Sequence, residues 1–210
     1  MNDRTAKPAE HTSRIDARVP AAMVICTDAA YDPDDAVSLA LAASIVEDLT
    51  VITSDETGGR RARWTRGYLD ALGRSDVEVA AGPDIGEAHR FLMDDMIAGI
   101  SVQSRDVLGA VVRACERSSG PITWVGQGLM TNLAAVVHAE PGVADRIQLT
   151  QQGGWLDHYR DKTRASHNLR WDSAAAGVAL RTVVRPQLLL SDFTGVDDIT
   201  VTADGELCVR

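Results

Sequence analysis

Four aspartates, Asp28, Asp32, Asp34 and Asp35, lie within eight residues near the start of the chain. They follow an apolar run of β type and precede a run of helical period. Carboxylates this close repel one another unless a cation or a helix N-terminus neutralises them. Calcium takes carboxylate and carbonyl oxygens as ligands, and a water that it binds beside a spare carboxylate is a nucleophile. The same residues with Pro33 are also typical of an ordinary helix start without catalysis, so spacing alone leaves both interpretations open.

Short β-type runs alternate along the chain with segments of helical period. We predict strands at Ala22–Thr27, 49–53, 77–80, 122–125, 146–150 and 187–190, and helices at 34–43, 65–72, 105–117, 132–138 and 173–183. In the first of these helices, Val37, Leu41 and Ile45 recur at every fourth residue. Strands that alternate with crossover helices predict an α/β fold with a mostly parallel open sheet. The Asp204-Gly205 turn within residues 199–209 predicts a short C-terminal β-hairpin.

Polar loops follow the predicted strands, at residues 28–35, 54–59, 126–132 and 151–155. In an open parallel sheet, ligands bind beyond the carboxyl ends of the strands. We therefore expect all four loops to line one cleft. We expect a single domain over residues 21–210 and a flexible polar leader over residues 1–20.

Composition excludes several classes of protein. The 210 residues are 45% apolar and 24% charged, with a net charge of −9, which argues against disorder, nucleic-acid binding and attraction to anionic lipid. The longest apolar or small stretch, residues 36–46, is too short to span a bilayer, which takes roughly 20 residues. Residues 1–20 lack the apolar core of a signal peptide. Three separated cysteines, Cys26, Cys115 and Cys208, suit a reducing compartment, and we predict a cytoplasmic location.

Four segments together resemble the nucleoside hydrolase family. Residues 28–36, DAAYDPDDA, are similar to its D-x-D-P-G-x-D-D-A motif, and residues 128–134, GLMTNLA, to G-P-L-T-N-L-A. Residues 152–154, QGG, correspond to M-G-G, and residues 166–176, SHNLRWDSAAA, to E-F-N-x-x-x-D-P-E-A-A. Each motif is weak alone, but their order and spacing agree over roughly residues 22–194. The resemblance implies a Rossmann-like nucleoside hydrolase fold and a small-molecule nucleoside or ribosyl substrate.

Family members hydrolyse the N-glycosidic bond of a ribonucleoside, with calcium on the ribose diol and a bound water attacking the anomeric carbon. By position, the resemblance implies that Asp35 is a metal ligand and that Asp34 binds ribose hydroxyls and the water. It also implies that the backbone carbonyl of Gln127 completes the metal shell and that Asn168 binds sugar. Asp55 falls where the family often has a sugar-binding Asn.

The sequence departs from the family at several of these positions. The family's second aspartate, both metal ligand and general base, falls on Ala30, so Asp28 or Asp32 must replace it or the calcium site is lost. A sugar-binding Asn and Glu of the family fall on Arg160 and Ser166. A late His–Asp pair, which supplies the acid for the leaving base and a further metal ligand, has no counterpart in the 210 residues.

A basic stretch from His158 to Arg170 occupies the ribose-contact loop of the family. Arg160 or Arg164 there suits an anionic substrate such as a ribosyl phosphate, although alternating charges are also typical of a solvated loop. His158 or His167 is a candidate general acid, because imidazole titrates near neutral pH. We predict that Trp155 and Trp171 lie near the cleft, where they could stack on a nucleobase, and that Trp64 and Trp124 belong to the core.

These observations favour an N-glycosyl hydrolase of nucleoside-like small molecules with an altered metal site. Two alternatives remain: a catalytically silent descendant that binds a ribosyl ligand or a protein, and a metal-independent enzyme of a specialised biosynthetic pathway. We also expect a homo-oligomer that buries exposed sheet edges.

Overall fold

A computed structural model describes residues 19–31, 33–86 and 91–194 of the chain. Its strands are β1 (Ala22–Thr27), β2 (Asp48–Thr53), β3 (Glu78–Ala81), β4 (Ile122–Gly126), β5 (Ile147–Gln152) and β6 (Gln187–Leu189). Its helices are α1 (Pro33–Ile45), α2 (Arg60–Ala71), α3 (Val107–Arg117), α4 (Thr131–Ala139), α5 (His167–Arg170), α6 (Ser173–Thr182) and α7 (Ser191–Thr194). Two 3₁₀ turns lie at Asp94–Met96 and Pro141–Arg146. The predicted hairpin, Asp32 and nearly all of the predicted leader lie outside the described residues.

The six strands form one sheet in the order β3-β2-β1-β4-β5-β6, and each neighbouring pair is parallel. The predicted α/β fold with a parallel sheet is therefore confirmed. The chain runs outward from β1 through β2 to β3 and then returns to place β4 on the other side of β1. The loops after β1 and β4 diverge at this reversal, which is where open α/β sheets form their ligand cleft.

Helices cover both faces of the sheet, and alternate residues of β1 serve the two cores. Val24 and Cys26 belong to a buried cluster on the side of α3, α4 and α6, which contains Trp124. Ile25 belongs to the cluster on the side of α1 and α2, which contains Trp64. Both tryptophans are buried, as predicted. Burial on both faces explains why the strands read as continuous apolar runs.

Helix α1 forms where the apolar spacing predicted it, but the residues that carried the prediction lie on its outer side. Val37, Leu41 and Ile45 are 38%, 61% and 50% exposed. The buried side instead carries Asp35, Leu39 and two alanines, Ala42 and Ala43. These small residues let α1 lie close to the sheet, so the more bulky stripe faces outward.

In the part of the chain that the structure describes, no helix has both the length and the apolar character needed to span a bilayer. Cys26 and Cys115 are buried free thiols. Cys208 falls outside the described residues.

Candidate active site

A cavity of about 430 Å³ lies beyond the C-terminal ends of β1, β4 and β5. Seven of the predicted site residues line it: Asp28, Asp34, Asp35, Gln127, Arg160, His167 and Asn168. Tyr31, Gln152, His158 and Tyr159 also contribute to its walls. The structure therefore brings together residues from loops that are more than a hundred positions apart in the sequence.

A larger cavity of about 840 Å³ lies at the opposite, N-terminal edge of the sheet. Four of its charged residues form ion pairs, for example Arg117 with Asp48 at 2.9 Å and Glu78 with Arg113 at 2.6 Å. Paired surface charges of this kind are typical of a solvated rim. The smaller cavity, where candidate catalytic groups converge, is therefore the better candidate active site.

The acidic wall of the cavity comes from the end of β1 and the first turn of α1. Pro33 is the first residue of α1, so Asp34 and Asp35 sit in its first turn, where the helix dipole stabilises negative charge. Asp35 is buried, and the Thr27 hydroxyl at the end of β1 donates to its Oδ1. Asp34 is exposed at the cavity. The strand therefore orients Asp35, while Asp34 faces the cavity.

Asp28 lies against the loop that follows β4. A Cβ added to Gly128 would be 3.2 Å from Asp28 Oδ1 and would clash with Ser54 Oγ. Glycine at this position lets the β4 loop approach the carboxylate of Asp28. The glycine that begins the family's G-P-L-T-N-L-A motif is thus explained by a close contact between the loops after β1 and β4.

A buried arginine fixes the backbone of the acidic loop through hydrogen bonds. Arg61 is fully buried, and its Nε donates to the carbonyl of Asp55 at 2.8 Å. Its Nη1 donates to the carbonyl of Ala29 at 2.7 Å and to that of Asp28. These bonds fix the backbone of the loops after β1 and β2 relative to α2.

Glu56, also fully buried, stabilises the start of α2. Its carboxylate accepts the backbone N–H of Ala62 at 2.8 Å and of Arg61 at 3.3 Å, and so satisfies donors in the first turn of α2. Sequence analysis missed both Glu56 and Arg61. An available signal was the acidic residue directly after β2 and just before a helix, which is a typical helix-start pattern.

The basic wall is the loop between β5 and α5, and Asp192 of α7 fixes its course. Asp192 accepts the backbone N–H groups of Leu156 at 2.9 Å, Asp157 at 2.8 Å and His158 at 2.8 Å. These hydrogen bonds, led by that of Leu156, lower the pKa of Asp192 to about 2. His158 and Arg160 line the cavity from this loop. Asp192 is a further residue that sequence analysis missed, because its partners lie more than thirty positions away.

Trp155 contributes to the internal structure of the same loop. Its ring stacks on Tyr159 with centroids 6.2 Å apart, and its indole Nε1 donates to the carbonyl of Arg164 at 3.2 Å. Tyr159 in turn accepts the backbone N–H of His167 at 3.2 Å. Neither Trp155 nor Asp55 belongs to the cavity lining, and Asp55 is 2% exposed with a left-handed φ of 47°. Their substrate-binding roles stay predictions.

Asn168 connects three parts of the cavity. Its Nδ2 donates to the carbonyl of Gln127 at 2.5 Å, after β4, and to that of Gln152 at 3.1 Å, at the end of β5. The predicted sugar ligand and the predicted metal-ligand carbonyl are therefore in direct contact. A carbonyl oxygen has two lone pairs, so Gln127 can still accept a second partner.

The described residues do not by themselves make a calcium site. Calcium takes about six to eight oxygen ligands. Within residues 19–31, 33–86 and 91–194, no group of three or more His, Cys, Asp or Glu side chains is placed to hold a metal ion. Ala30, at the family's second aspartate, is buried with a left-handed φ of 75° and offers no side-chain oxygen. The predicted metal ligands Asp28, Asp35 and Gln127 line one cavity, but three ligands are fewer than a full calcium shell.

The profile of the inosine-uridine preferring nucleoside hydrolases matches residues 23–204. The chain belongs to that family. Pyrimidine-specific ribonucleoside hydrolase RihA of Shewanella woodyi is 24% identical over 175 residues, which are 76% of this chain and 56% of RihA. The nucleoside hydrolase resemblance is therefore confirmed.

Solved structures show the same fold. The inosine-uridine preferring nucleoside hydrolase of Bacillus anthracis matches with a TM-score of 0.65 and 18% identity over 87% of this chain and 68% of its own. The type III effector protein XopQ, complexed with adenosine diphosphate ribose, matches with a TM-score of 0.66 and 23% identity over 78% of this chain and 53% of its own. This chain spans about half the length of RihA and of XopQ.

Proposed function

We propose that this nucleoside hydrolase-family chain cleaves the N-glycosidic bond of a nucleoside-like small molecule, using a metal site altered from that of the family. The observation that carries the proposal is the convergence of Asp28, Asp34, Asp35 and Asn168 on one cavity at the reversal point of the sheet. A cavity of about 430 Å³ is within the range for small-molecule sites, roughly 300 to 1,000 Å³.

Charge on the acidic wall suits the transition state of this reaction. As the bond between the anomeric carbon and the base nitrogen breaks, the sugar becomes a cation of oxocarbenium type. Carboxylates that are already oriented, such as Asp35 against Thr27, stabilise that charge without reorganising. In our proposal Asp34 binds the sugar hydroxyls from the exposed side of the cavity.

The proposed step transfers one proton at each end of the bond. Asp34 or Asp28 accepts a proton from water as the water oxygen bonds to the anomeric carbon. The bonding electrons of the N-glycosidic bond pass to the base nitrogen, which accepts a proton from His158 or His167. The products are a free sugar and a free base. Both imidazoles line the same cavity as the carboxylates, which supports this division of roles.

Ribosyl binding without turnover is the second candidate function, and Ala30 favours it. The family position for a metal ligand and general base holds a methyl group here. The effector XopQ, with the same fold, was solved with adenosine diphosphate ribose. A chain that keeps the cavity but lacks the base would bind a ribosyl group and release no sugar.

Release of reducing sugar from a panel of nucleosides, including inosine and uridine, separates the two functions. We expect turnover by the native chain and a loss of about 100-fold or more in kcat/KM for Asp34→Asn, in line with general acid–base catalysis. The control is Asp145→Asn, because Asp145 is exposed in the 3₁₀ turn before β5. Binding of nucleosides with no sugar released would favour the second function.

Calcium titration by calorimetry tests the altered metal site. Because Ala30 removes one carboxylate, we expect a dissociation constant no tighter than about 10⁻⁴ M, and weaker still for Asp35→Asn. Micromolar binding would show that another residue completes the shell and would contradict the altered site.

A further inference from the structure

Arg160 stands apart from the other arginines near it. It is exposed, lines the candidate active site and makes no ion pair with any residue that the structure describes. Arg164, four residues later in the same loop, pairs with Asp161 at 2.5 Å and is not part of the cavity lining. An arginine that faces a cavity without a carboxylate partner retains its full capacity to bind an anion.

The position of Arg160 is defined by the loop that carries it. Three backbone N–H groups just before it, those of Leu156, Asp157 and His158, are bound by Asp192. The residue on its N-terminal side, Tyr159, is packed on Trp155 and bonded to the backbone of α5. A solvated loop whose charges only interact with water needs none of these contacts. The guanidinium of Arg160 therefore lines the cavity from a loop whose backbone is fixed by hydrogen bonds.

Charge is divided between the two walls of the cavity. Asp28, Asp34 and Asp35 come from β1 and α1, whereas His158 and Arg160 come from the loop before α5. A neutral sugar and base can use the carboxylates and the histidines, but they leave Arg160 without an anionic partner. A ligand with a sugar at one end and an anionic group at the other satisfies both walls.

We propose that Arg160, with His158 beside it, forms an anion subsite for a phosphate group attached to the ribosyl ligand. The proposal rests on the proposed function, since it extends the ligand of the same cavity. The guanidinium donates two parallel N–H bonds to phosphate oxygens, a geometry that a lysine cannot reproduce. The preferred ligand class is then a ribosyl phosphate rather than a neutral nucleoside.

Calorimetry with ribose, ribose 5-phosphate and inorganic phosphate tests this subsite. None of these contains an N-glycosidic bond, so the result is independent of turnover. We expect ribose 5-phosphate to bind about tenfold or more tighter than ribose and than inorganic phosphate. The preference should weaken at high ionic strength because the subsite is exposed.

Four variants locate the effect. Arg160→Ala should bring the affinity for ribose 5-phosphate to that for ribose, while Arg160→Lys should retain part of the preference. The matched control is Arg164→Ala, which should leave both affinities at the native values. Asp192→Asn should lower the preference and speed amide exchange at Leu156, Asp157 and His158, because Asn lacks the second acceptor oxygen.

The outcomes separate this proposal from the hydrolase proposal. Equal affinity for ribose and ribose 5-phosphate, a preference that survives Arg160→Ala, or no binding of ribose 5-phosphate at millimolar concentration overturns the subsite and leaves the nucleoside assay to decide hydrolysis. Inorganic phosphate that binds as tightly as ribose 5-phosphate shows a free-phosphate site and also overturns it. A phosphate preference without sugar release from nucleosides or their monophosphates supports the subsite and refutes the hydrolase.

Discussion

Replacement of Arg61 by methionine is expected to loosen the acidic loop and destabilise the protein. Methionine is similar in length and suits a buried position, so it removes the donors with little change in volume. The carbonyls of Ala29 and Asp55, both in buried residues, then lose the donors at 2.7 and 2.8 Å. The carbonyl of Asp28, on the cavity side, loses its donor as well.

The size of the effect follows from these lost bonds. A buried acceptor left without a partner costs about 1–3 kcal/mol, so the two buried carbonyls together cost about 2–6 kcal/mol. Removing a buried charge recovers part of this cost, because the guanidinium no longer has to be desolvated. We therefore expect Arg61→Met to lower the free energy of unfolding by about 2–4 kcal/mol.

Urea unfolding followed by tryptophan fluorescence measures the change, with Arg60→Met as the matched control on the same helix. Arg60 pairs with Asp94 at 3.1 Å, but the two side chains are 42% and 60% exposed, so loss of this ion pair should cost less than about 1 kcal/mol. Arg61→Met should also weaken ribose binding, because the backbone that carries Asp28 shifts. Equal stability of the two variants with unchanged ribose binding would refute the supporting role of Arg61.

Three further experiments test other parts of the structure. Gly128→Ala should lower the free energy of unfolding by about 1–3 kcal/mol and reduce ribose binding, because the added methyl group clashes with Ser54. Gly120→Ala is the control: it has open space around it and should have little effect in the same urea assay. Burial raises the pKa of the Cys26 thiol to about 12, so iodoacetamide should label Cys26 only after unfolding; peptide mapping that finds it labelled in the native protein would contradict its burial. Because the folded pKa of Asp192 is lowered to about 2, its contribution to loop stability is present above about pH 4 and is lost as the pH falls toward 2. The NMR signals of the amides that it binds should therefore titrate near pH 2. A midpoint near pH 4 would show that the hydrogen bonds are absent.

The sequence was sufficient for the parallel sheet because its central strands, such as β1 and β2, are buried on both faces. Continuous apolar runs such as Ala22–Thr27 and Ile122–Gly126 have few alternative interpretations when helical segments separate them. Trp64 and Trp124 followed from the same patterns. The start of α2 did not, since the helix begins at Arg60, in a charged stretch whose first turn is satisfied by the buried Glu56.

The support of the candidate site was harder to predict because it depends on contacts between distant residues and backbone. Arg61 binds carbonyls 32 positions earlier in the chain, and Asp192 binds N–H groups 34 to 36 positions earlier. No periodicity or motif marks such partners. The stacking of Trp155 on Tyr159 within its own loop was likewise not marked by any pattern, and its predicted contact with a nucleobase stays a prediction. The motif residues of the cavity were found, but the residues that position them were not.

A crystal structure of the protein soaked with inosine tests the central claim most directly, namely that the cavity beyond β1 and β4 holds the ribosyl group. We expect density for the sugar, with or without its base, within hydrogen-bond distance of Asp34 and Asn168 and at the same edge of the sheet as Arg160. Sugar density in the cavity at the opposite edge of the sheet, or a fully loaded crystal with none beside Asp34, would contradict it.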